Sequence, residues 1–204
     1  MGTKGEQTRA QILAVAEQLI LQHGYTGTSI DRIIGESGIT KGGFFYHFEG
    51  KSDLARCLIQ RYLEQDRVFF EGLLDRARSL TEDPLQQLLV FLKLMAEAMA
   101  DLPSSHPGCL VASFTYESHQ FDDEIRRLNA EGMLAWRRIF LDLLEEIAEK
   151  HPMRIEQPLE DVADMLTAVT EGGIVMSRCI ADKHILPHQL LQFRSYIRLL
   201  FGDV

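Results

Sequence analysis

Apolar residues recur at helical spacing along almost the whole chain, and this periodicity restricts the fold more than any other feature. In the first segment, after a capping box formed by Thr3 and Glu6, they fall three or four positions apart. These residues are Ile12, Leu13, Ala16, Leu19 and Ile20. No segment has the alternating pattern that is typical of a half-buried strand. The sequence therefore predicts an all-α fold of about nine helices.

Capping residues and helix breakers divide the chain into short helices followed by long ones. Thr28 and Asp31 have the spacing of a capping box that opens a second helix, which Gly38 ends. Thr40 then caps a third short helix. Longer helices are predicted at about 51–79, 84–101, 122–150, 159–182 and 187–201, with a short one at 109–119. The change near residue 50 predicts two domains, 1–50 and 51–204.

The charge distribution limits the ways in which the chain could bind nucleic acid. The 204 residues include 21 Lys and Arg against 30 Asp and Glu, and the net charge of −9 argues against bulk coating of nucleic acid. Residues 1–60 contain six basic and six acidic side chains, so the acidity belongs to the rest of the chain. This distribution is compatible with a local DNA-binding face near the N-terminus.

Three scattered cysteines, Cys57, Cys109 and Cys179, do not have the pattern of a disulfide framework. We interpret Cys57 and Cys179 as packing residues. No apolar run approaches the ~20 residues that cross a bilayer, and the N-terminus lacks an export signal. These features predict a cytoplasmic protein in a reducing compartment.

The segment from Thr40 to Phe48 has an unusual composition for a helix. Gly42 and Gly43 each cost about 1 kcal/mol relative to alanine, but they allow the backbone to approach a phosphate or a base edge. Phe44 and Phe48 lie four positions apart and should anchor the segment in the core. The side chains then expected to face outward are Lys41, Phe45, Tyr46 and His47. Together with the preceding short helix, this pattern indicates a helix-turn-helix; the alternative is a tight turn with aromatic packing.

These residues resemble the N-terminal motif of the TetR family of transcriptional regulators. The resemblance covers about a quarter of the chain and includes Thr8-Arg9, Gly24-Tyr25, Thr28-Ser29-Ile30, Gly38-Ile39-Thr40-Lys41-Gly42 and Lys51 to Leu54. It implies a homodimer whose heads bind successive major grooves of a pseudo-palindromic, double-stranded operator DNA. The C-terminal domains would dimerise through the last two helices and hold a small-molecule effector, with no cofactor. The segment Gly108-Cys109-Leu110 indicates a subgroup of the family.

The resemblance implies a DNA-binding surface when it is carried over residue by residue. The residues at base edges or nearby backbone would be Lys41, Gly42 and Gly43. Those at phosphates would be Thr28, Ser29, Thr40, Tyr46, His47 and Lys51. Phe45 stands where the family usually has tyrosine and offers only apolar contact, for example to a thymine methyl group. Arg9 is expected either to reach the DNA or to lie exposed in solvent.

The resemblance implies a cavity in the C-terminal domain, and the large apolar side chains beyond residue 50 would suit an apolar or flat effector there, although each one taken singly is more often plain core. The predicted ligand-binding residues are Phe91, Met95, Met99, Cys109, Phe114, Glu117, Trp136, Phe140, Met165 and Thr170. Small residues near the C-terminus predict a dimer interface, with packing inside the chain as the alternative. They are Ala163, Ala168, Gly172, Gly173, Ser177 and Ala181.

No catalytic or metal-binding motif is present, so the sequence does not predict an enzyme. His184 and His188 are four positions apart, but Pro187 between them is expected to begin a new helix, so the two histidines need not share a face. The sequence thus predicts a ligand-responsive repressor that a small molecule releases from DNA. Two alternatives stay open: a thiol-based redox or electrophile sensor on the same scaffold, acting through Cys109, and a helical protein-interaction module without DNA binding.

Overall fold

The computed structural model describes residues 3–202, and this part of the chain contains nine α helices, one 3-10 turn at Ser118–Gln120 and no strand. The all-α prediction is confirmed. The helices are α1 (Lys4–His23), α2 (Ile30–Ser37), α3 (Lys41–His47), α4 (Lys51–Arg78), α5 (Pro84–Ala100), α6 (Leu110–Tyr116), α7 (Asp123–Lys150), α8 (Leu159–Ile180) and α9 (Ile185–Phe201).

Helix α1 begins and ends as the sequence predicts. The Thr3 hydroxyl accepts a hydrogen bond from the Glu6 amide at 3.3 Å, and the Glu6 carboxylate accepts one from the Thr3 amide at 2.6 Å. All five apolar residues of the predicted face are buried. Gly24 ends the helix with φ at 75°, a conformation that glycine adopts without strain. Local sequence signals are therefore sufficient to define this helix.

Helix α2 begins one residue later than predicted. Ser29 caps it by accepting a hydrogen bond from the Arg32 amide at 3.2 Å. Thr28 is fully buried, and its hydroxyl donates to the Gly24 carbonyl at 2.8 Å. The prediction of Thr28 as the cap was wrong because the turn after α1 directs this hydroxyl back to the end of α1.

The chain divides into two compact units. The first runs to Gln65 and also includes Pro107–Gly132, whereas the second comprises Asp66–His106 and the chain from Met133 onward. In the first unit α1 packs on α2 and on α6, and in the second α9 packs on α5 and α8. Residue 50 lies inside the first unit, and the predicted division into 1–50 and 51–204 stays a prediction.

Helices α8 and α9 approach each other closely at small side chains. A Cβ atom added to Gly173 would lie 2.8 Å from Leu186 Cδ1 and 3.2 Å from its Cα. The buried Ser177 hydroxyl accepts a hydrogen bond from the Leu186 amide at 3.0 Å. Gly173 and Ser177 thus pack within the chain, as does the fully buried Ala163. These three residues pack against other parts of the same chain, which was the alternative to a dimer interface.

His184 and His188 lie on the same face at the start of α9. Helix α9 already begins at Ile185, and the His188 amide donates to the His184 carbonyl at 3.1 Å. The two rings are stacked with their centroids 6.3 Å apart. Pro187 does not separate them because it lies in the first turn of α9, where the backbone amides have no partner within the helix.

We predict opposite effects on stability for the same substitution at two helical glycines. Gly173→Ala should lower the free energy of unfolding by about 1–3 kcal/mol, because the new methyl group meets the backbone of Leu186. Gly72→Ala should raise it by up to about 1 kcal/mol, because an added Cβ on α4 meets nothing within 4 Å. Urea unfolding followed by circular dichroism, at matched protein concentration, measures both. Equal shifts of the two midpoints would contradict the packing described here.

Candidate nucleic-acid interface

Two buried aromatic rings hold the short helix α3 in place. Phe44 and Phe48 are almost completely buried, and their ring centroids lie 5.6 Å apart. Thr40 caps the helix by accepting a hydrogen bond from the Gly43 amide at 3.1 Å. The predicted anchors and the predicted cap of α3 are therefore confirmed.

The opposite side of α3 is open to solvent. Tyr46 exposes 82% of its surface and Phe45 46%. Lys41 and Gly42 are also exposed, and His47 is half-buried. This arrangement leaves a cationic side chain, two aromatic rings and a bare stretch of backbone on the surface of one helix.

The two adjacent glycines of α3 have different surroundings. A Cβ atom added to Gly42 would meet nothing within 4 Å, whereas one added to Gly43 would lie 3.3 Å from the hydroxyl oxygen of Thr40. The fold therefore does not require glycine at position 42. Gly43, in contrast, leaves room for the cap of its own helix.

Lys51, at the start of α4, is held by the turn that follows α1. Its ammonium group donates to the Tyr25 carbonyl at 2.5 Å and lies 4.1 Å from the centroid of the Tyr25 ring. Burial lowers the pKa of Lys51, although the carboxylate of Glu117 acts in the opposite direction. Lys51 thus has partners within the protein, which the resemblance did not indicate.

Thr28 and Arg9 both have partners within the head. The hydroxyl of Thr28 is buried, so this side chain is not available to a phosphate. Arg9 donates to the sulfur of Cys57 at 3.0 Å, and its guanidinium carbon lies 5.2 Å from the centroid of the Phe48 ring. The expectation that Arg9 lies exposed in solvent was wrong, because these contacts leave it half-buried, while its contact with DNA stays a prediction.

The structure shows two contacts of the N-terminal helices that the sequence analysis did not predict. The start of α1 lies beside α3, since a Cβ atom on Gly5 would be 3.9 Å from His47 Cε1. Lys4, the residue before Gly5, is exposed. On α2, Arg32 is exposed, and its guanidinium lies 2.8 Å from Nε2 of His23. No local pattern reveals these contacts, because they join different helices.

Comparison with known proteins identifies the group to which this chain belongs. Residues 12–57 match the family model described as bacterial regulatory proteins, tetR family. The HTH-type transcriptional repressor BepR of Brucella suis biovar 1 (strain 1330) is 33% identical over 176 residues, which cover 83% of this chain and 81% of that protein. The chain belongs to the TetR family.

Solved structures of other TetR-type proteins share the fold. A TetR transcriptional regulator from Chloroflexus aurantiacus J-10-FL has a TM-score of 0.81 at 24% identity, covering 98% of this chain and 99% of that one. Escherichia coli NemR in its reduced form has a TM-score of 0.75 at 19% identity, covering 97% and 98%. The family and the relatives are transcriptional regulators, so this TetR-family chain is a regulator and not an enzyme. The predicted Gly-Cys-Leu subgroup stays a prediction.

The predicted ligand-binding residues of this TetR-family chain are divided between the two units. Those in the second unit include Phe91 and Phe140, whose ring centroids lie 6.1 Å apart and which both pack on Phe70. The other five in that unit are buried or half-buried: Met95, Met99, Trp136, Met165 and Thr170. The Thr170 hydroxyl donates to the carbonyl of Leu166 in its own helix at 2.8 Å.

Three predicted ligand residues, Cys109, Phe114 and Glu117, belong to the first unit. Phe114 is buried against Tyr25 and Phe121, with ring centroids 5.8 and 4.5 Å away. Both carboxylate oxygens of Glu117 accept hydrogen bonds from backbone amides of the turn after α1. Glu117 thus has partners within the protein, and its predicted role in orienting a ligand stays a prediction.

Two cysteines of the chain lie in opposite environments. Cys109 is only 6% exposed and is the N-cap of α6, where its sulfur accepts a hydrogen bond from the Ala112 amide at 3.4 Å. Cys179 is exposed on α8, so its interpretation as a packing residue was wrong. Cys57 is half-buried beside Arg9.

A surface cleft of about 330 Å³ lies between α7 and α8, and none of the predicted ligand residues lines it. Its lining is Met133, Leu134, Arg137, Asp164, Thr167, Ala168 and Glu171. Among residues 3–202, no three His, Cys, Asp or Glu side chains are grouped so that they could hold a metal ion. In the same part of the chain, every helix is too short or too polar to span a bilayer.

We predict that α3 depends on the Thr40 hydroxyl. Thr40→Ala should lower the free energy of unfolding by about 1 kcal/mol, because the Gly43 amide loses its acceptor. Thr40→Ser keeps that acceptor and serves as the matched control. Urea unfolding of both variants measures the effect, and an equal loss in the serine variant would refute this role of the hydroxyl.

Proposed function

We propose that this TetR-family chain is a repressor that binds double-stranded operator DNA through α3 and is released by a small molecule. The observation that supports this proposal most directly is the exposure of Gly42 beside Lys41 and Tyr46 on a helix whose other side is anchored by buried rings. A helix that exposes bare backbone together with a cation suits the major groove, where base edges and phosphates lie close together.

The proposed contacts follow the direction of each side chain. Lys41, Gly42 and Gly43 would lie at base edges, with Phe45 against a thymine methyl group. Phosphate contacts would come from Ser29, Thr40, Tyr46 and His47, and Lys51 would add positive charge from the start of α4. We leave Thr28 out of this set because its side chain is buried.

Dimerisation through the C-terminal helices is supported by an exposed apolar face on α8. Ala168, Gly172 and Val175 follow one another at helical spacing and are exposed, as are Met176 and Ile180. Small residues allow a second helix to approach closely, and the large apolar ones would then be removed from water. On α9, Leu199 exposes 67% of its surface and could join the same interface. A second copy of the chain is the proposed occupant of this face.

We propose that the effector is an apolar or flat molecule bound near the aromatic residues of the second unit. It would act by population shift, because it would bind more tightly to a conformation that no longer matches the two half-sites. Cys109 does not favour the thiol-sensing alternative, since its sulfur is buried and already caps α6.

We predict that Gly42→Ala separates folding from DNA binding. The added methyl group meets no protein atom, so the variant should be at least as stable as the wild type. On the surface that faces DNA, the same methyl group should weaken operator binding about tenfold or more. Fluorescence anisotropy on the intergenic DNA beside the protein's own gene, with competitor DNA and a salt series, measures affinity, which should fall steeply with salt.

Gly72→Ala is the control for this experiment, because it places the same methyl group on an exposed helix outside the head. Its operator affinity should equal that of the wild type. Unchanged affinity in Gly42→Ala would contradict the assigned surface. If the wild-type protein bound neither this DNA nor any sequence from a random-sequence selection, the proposal of a DNA-binding regulator would be wrong.

We predict that a charge on the exposed face of α8 dissociates the dimer. Val175→Asp should shift the protein toward monomer, because the carboxylate would be desolvated in an apolar interface. Val68→Asp on α4 is the matched control, since both valines are 56% exposed. Sedimentation velocity at micromolar concentration distinguishes the two states, and a Val175→Asp variant that stayed dimeric would exclude this part of α8 from the interface.

A further inference from the structure

Glu117, the residue that follows α6, joins this helix to the head that bears the proposed DNA surface. Its Oε1 atom accepts a hydrogen bond from the Tyr25 amide at 2.6 Å, and its Oε2 atom accepts one from the Thr26 amide at 2.8 Å. These two amides belong to the turn after α1, and the same turn leads into Ser29, the cap of α2. One carboxylate therefore binds the backbone that sets the start of the helix-turn-helix.

The same turn is held from its other side by Lys51. The ammonium group of Lys51 donates to the Tyr25 carbonyl, while the Tyr25 amide donates to Glu117. Partial burial acts to raise the pKa of Glu117. The pKa nevertheless lies below its ordinary value, because Thr26 and Tyr25 donate hydrogen bonds to the carboxylate and Lys51 is positively charged. Glu117 is thus a carboxylate in an electropositive site formed by two amides and one ammonium group.

The backbone at Gly24 fits this arrangement in two ways. Its φ of 75° is a conformation that other residues rarely adopt. In addition, a Cβ atom at this position would lie 2.7 Å from Oε1 of Glu117. The end of α1 therefore has the shape that lets the carboxylate reach the two amides.

Helix α6 is itself fixed to its neighbours in the first unit. The side-chain amide of Asn129, on α7, donates to the Val111 carbonyl at 3.1 Å and to the Thr115 hydroxyl at 2.9 Å. Phe114 of α6 packs edge-on against the Tyr25 ring. Because Glu117 directly follows α6, any displacement of α6 and its neighbours would also move Glu117 and, through its hydrogen bonds, the turn after α1.

We propose that Glu117 is a positioning residue for operator recognition. From the end of α6 it holds the turn after α1, and with it the cap of α2 and the ammonium group of Lys51, in the arrangement that binds DNA. This inference rests on the proposed function and deepens it, because it assigns one side chain through which α6 controls the head.

The test compares Glu117→Ala and Glu117→Gln with Glu131→Gln. Glu131 is an exposed carboxylate on α7 in the same unit, so its substitution controls for the change in charge. Amide hydrogen exchange of the free protein reports the two hydrogen bonds without DNA. Anisotropy on the operator reports recognition, and thermal unfolding reports global stability.

In Glu117→Ala, we expect exchange at the Tyr25 and Thr26 amides to rise about tenfold or more, because hydrogen bonds to a charged acceptor are lost. Exchange at the amides of α2 and α3 and the unfolding midpoint should change little, whereas operator affinity should fall about tenfold. Glu117→Gln keeps one acceptor oxygen and should restore part of both effects. Glu131→Gln should behave as the wild type.

Three results would overturn the inference. The first is unchanged exchange at Tyr25 and Thr26 in Glu117→Ala, and the second is faster exchange there with undiminished operator affinity. The third is faster exchange throughout the protein with a lower unfolding midpoint, which would mark Glu117 as a purely structural residue. Failure of the proposed function is distinguishable, since the wild-type protein itself would then bind no DNA.

Discussion

The proposed DNA-binding surface depends on the burial of two phenylalanine rings. Helix α3 has only seven residues and contains two glycines, and an isolated helix shorter than about 12 residues is marginal in water even with a favourable sequence. Phe44 and Phe48 supply the missing stability by packing into the head, and the Thr40 cap satisfies one of the free amides. Because the anchoring residues occupy one side of the helix, the other side can lack side chains where a ligand must come close. The buried rings thus stabilise this helix, while the glycines leave its other side without side chains.

A second set of contacts gives the head its geometry. The turn after α1 donates two backbone hydrogen bonds to the carboxylate of Glu117 and accepts one from the ammonium group of Lys51, so two distant parts of the chain hold it. In a family whose members respond to small molecules, such a turn is well placed to transmit a displacement, since a short backbone segment with opposed partners has few alternative positions. The proposed link between α6 and DNA binding therefore rests on local geometry that is independent of the identity of the effector.

Small residues near the C-terminus show how one sequence pattern can serve two purposes. Gly173 and Ser177 allow α9 to pack on α8 within the chain, whereas Ala168 and Gly172 lie on an exposed part of α8. The sequence reveals that all four residues are small. Which of them face α9 and which face solvent depends on the position of α9. The same holds for the large apolar residues, because Phe91 and Phe140 join one aromatic cluster while Val175 and Met176 face solvent.

The sequence by itself determined the helical class, most helix ends, the buried face of α1 and the outward direction of Lys41, Phe45 and Tyr46. Each of these properties depends on residues within a few positions of one another, so periodicity and capping chemistry reveal them. Only the tertiary structure decided that Ser29 and not Thr28 caps α2, that Arg9 is half-buried, and that Glu117 and Lys51 share one turn. The contacts of Arg9, Lys51 and Glu117 join residues far apart in the chain, and Thr28 is directed away from α2 by the turn that these contacts hold. Their free energy comes from burial and hydrogen bonding between helices, and no local pattern specifies which helices meet.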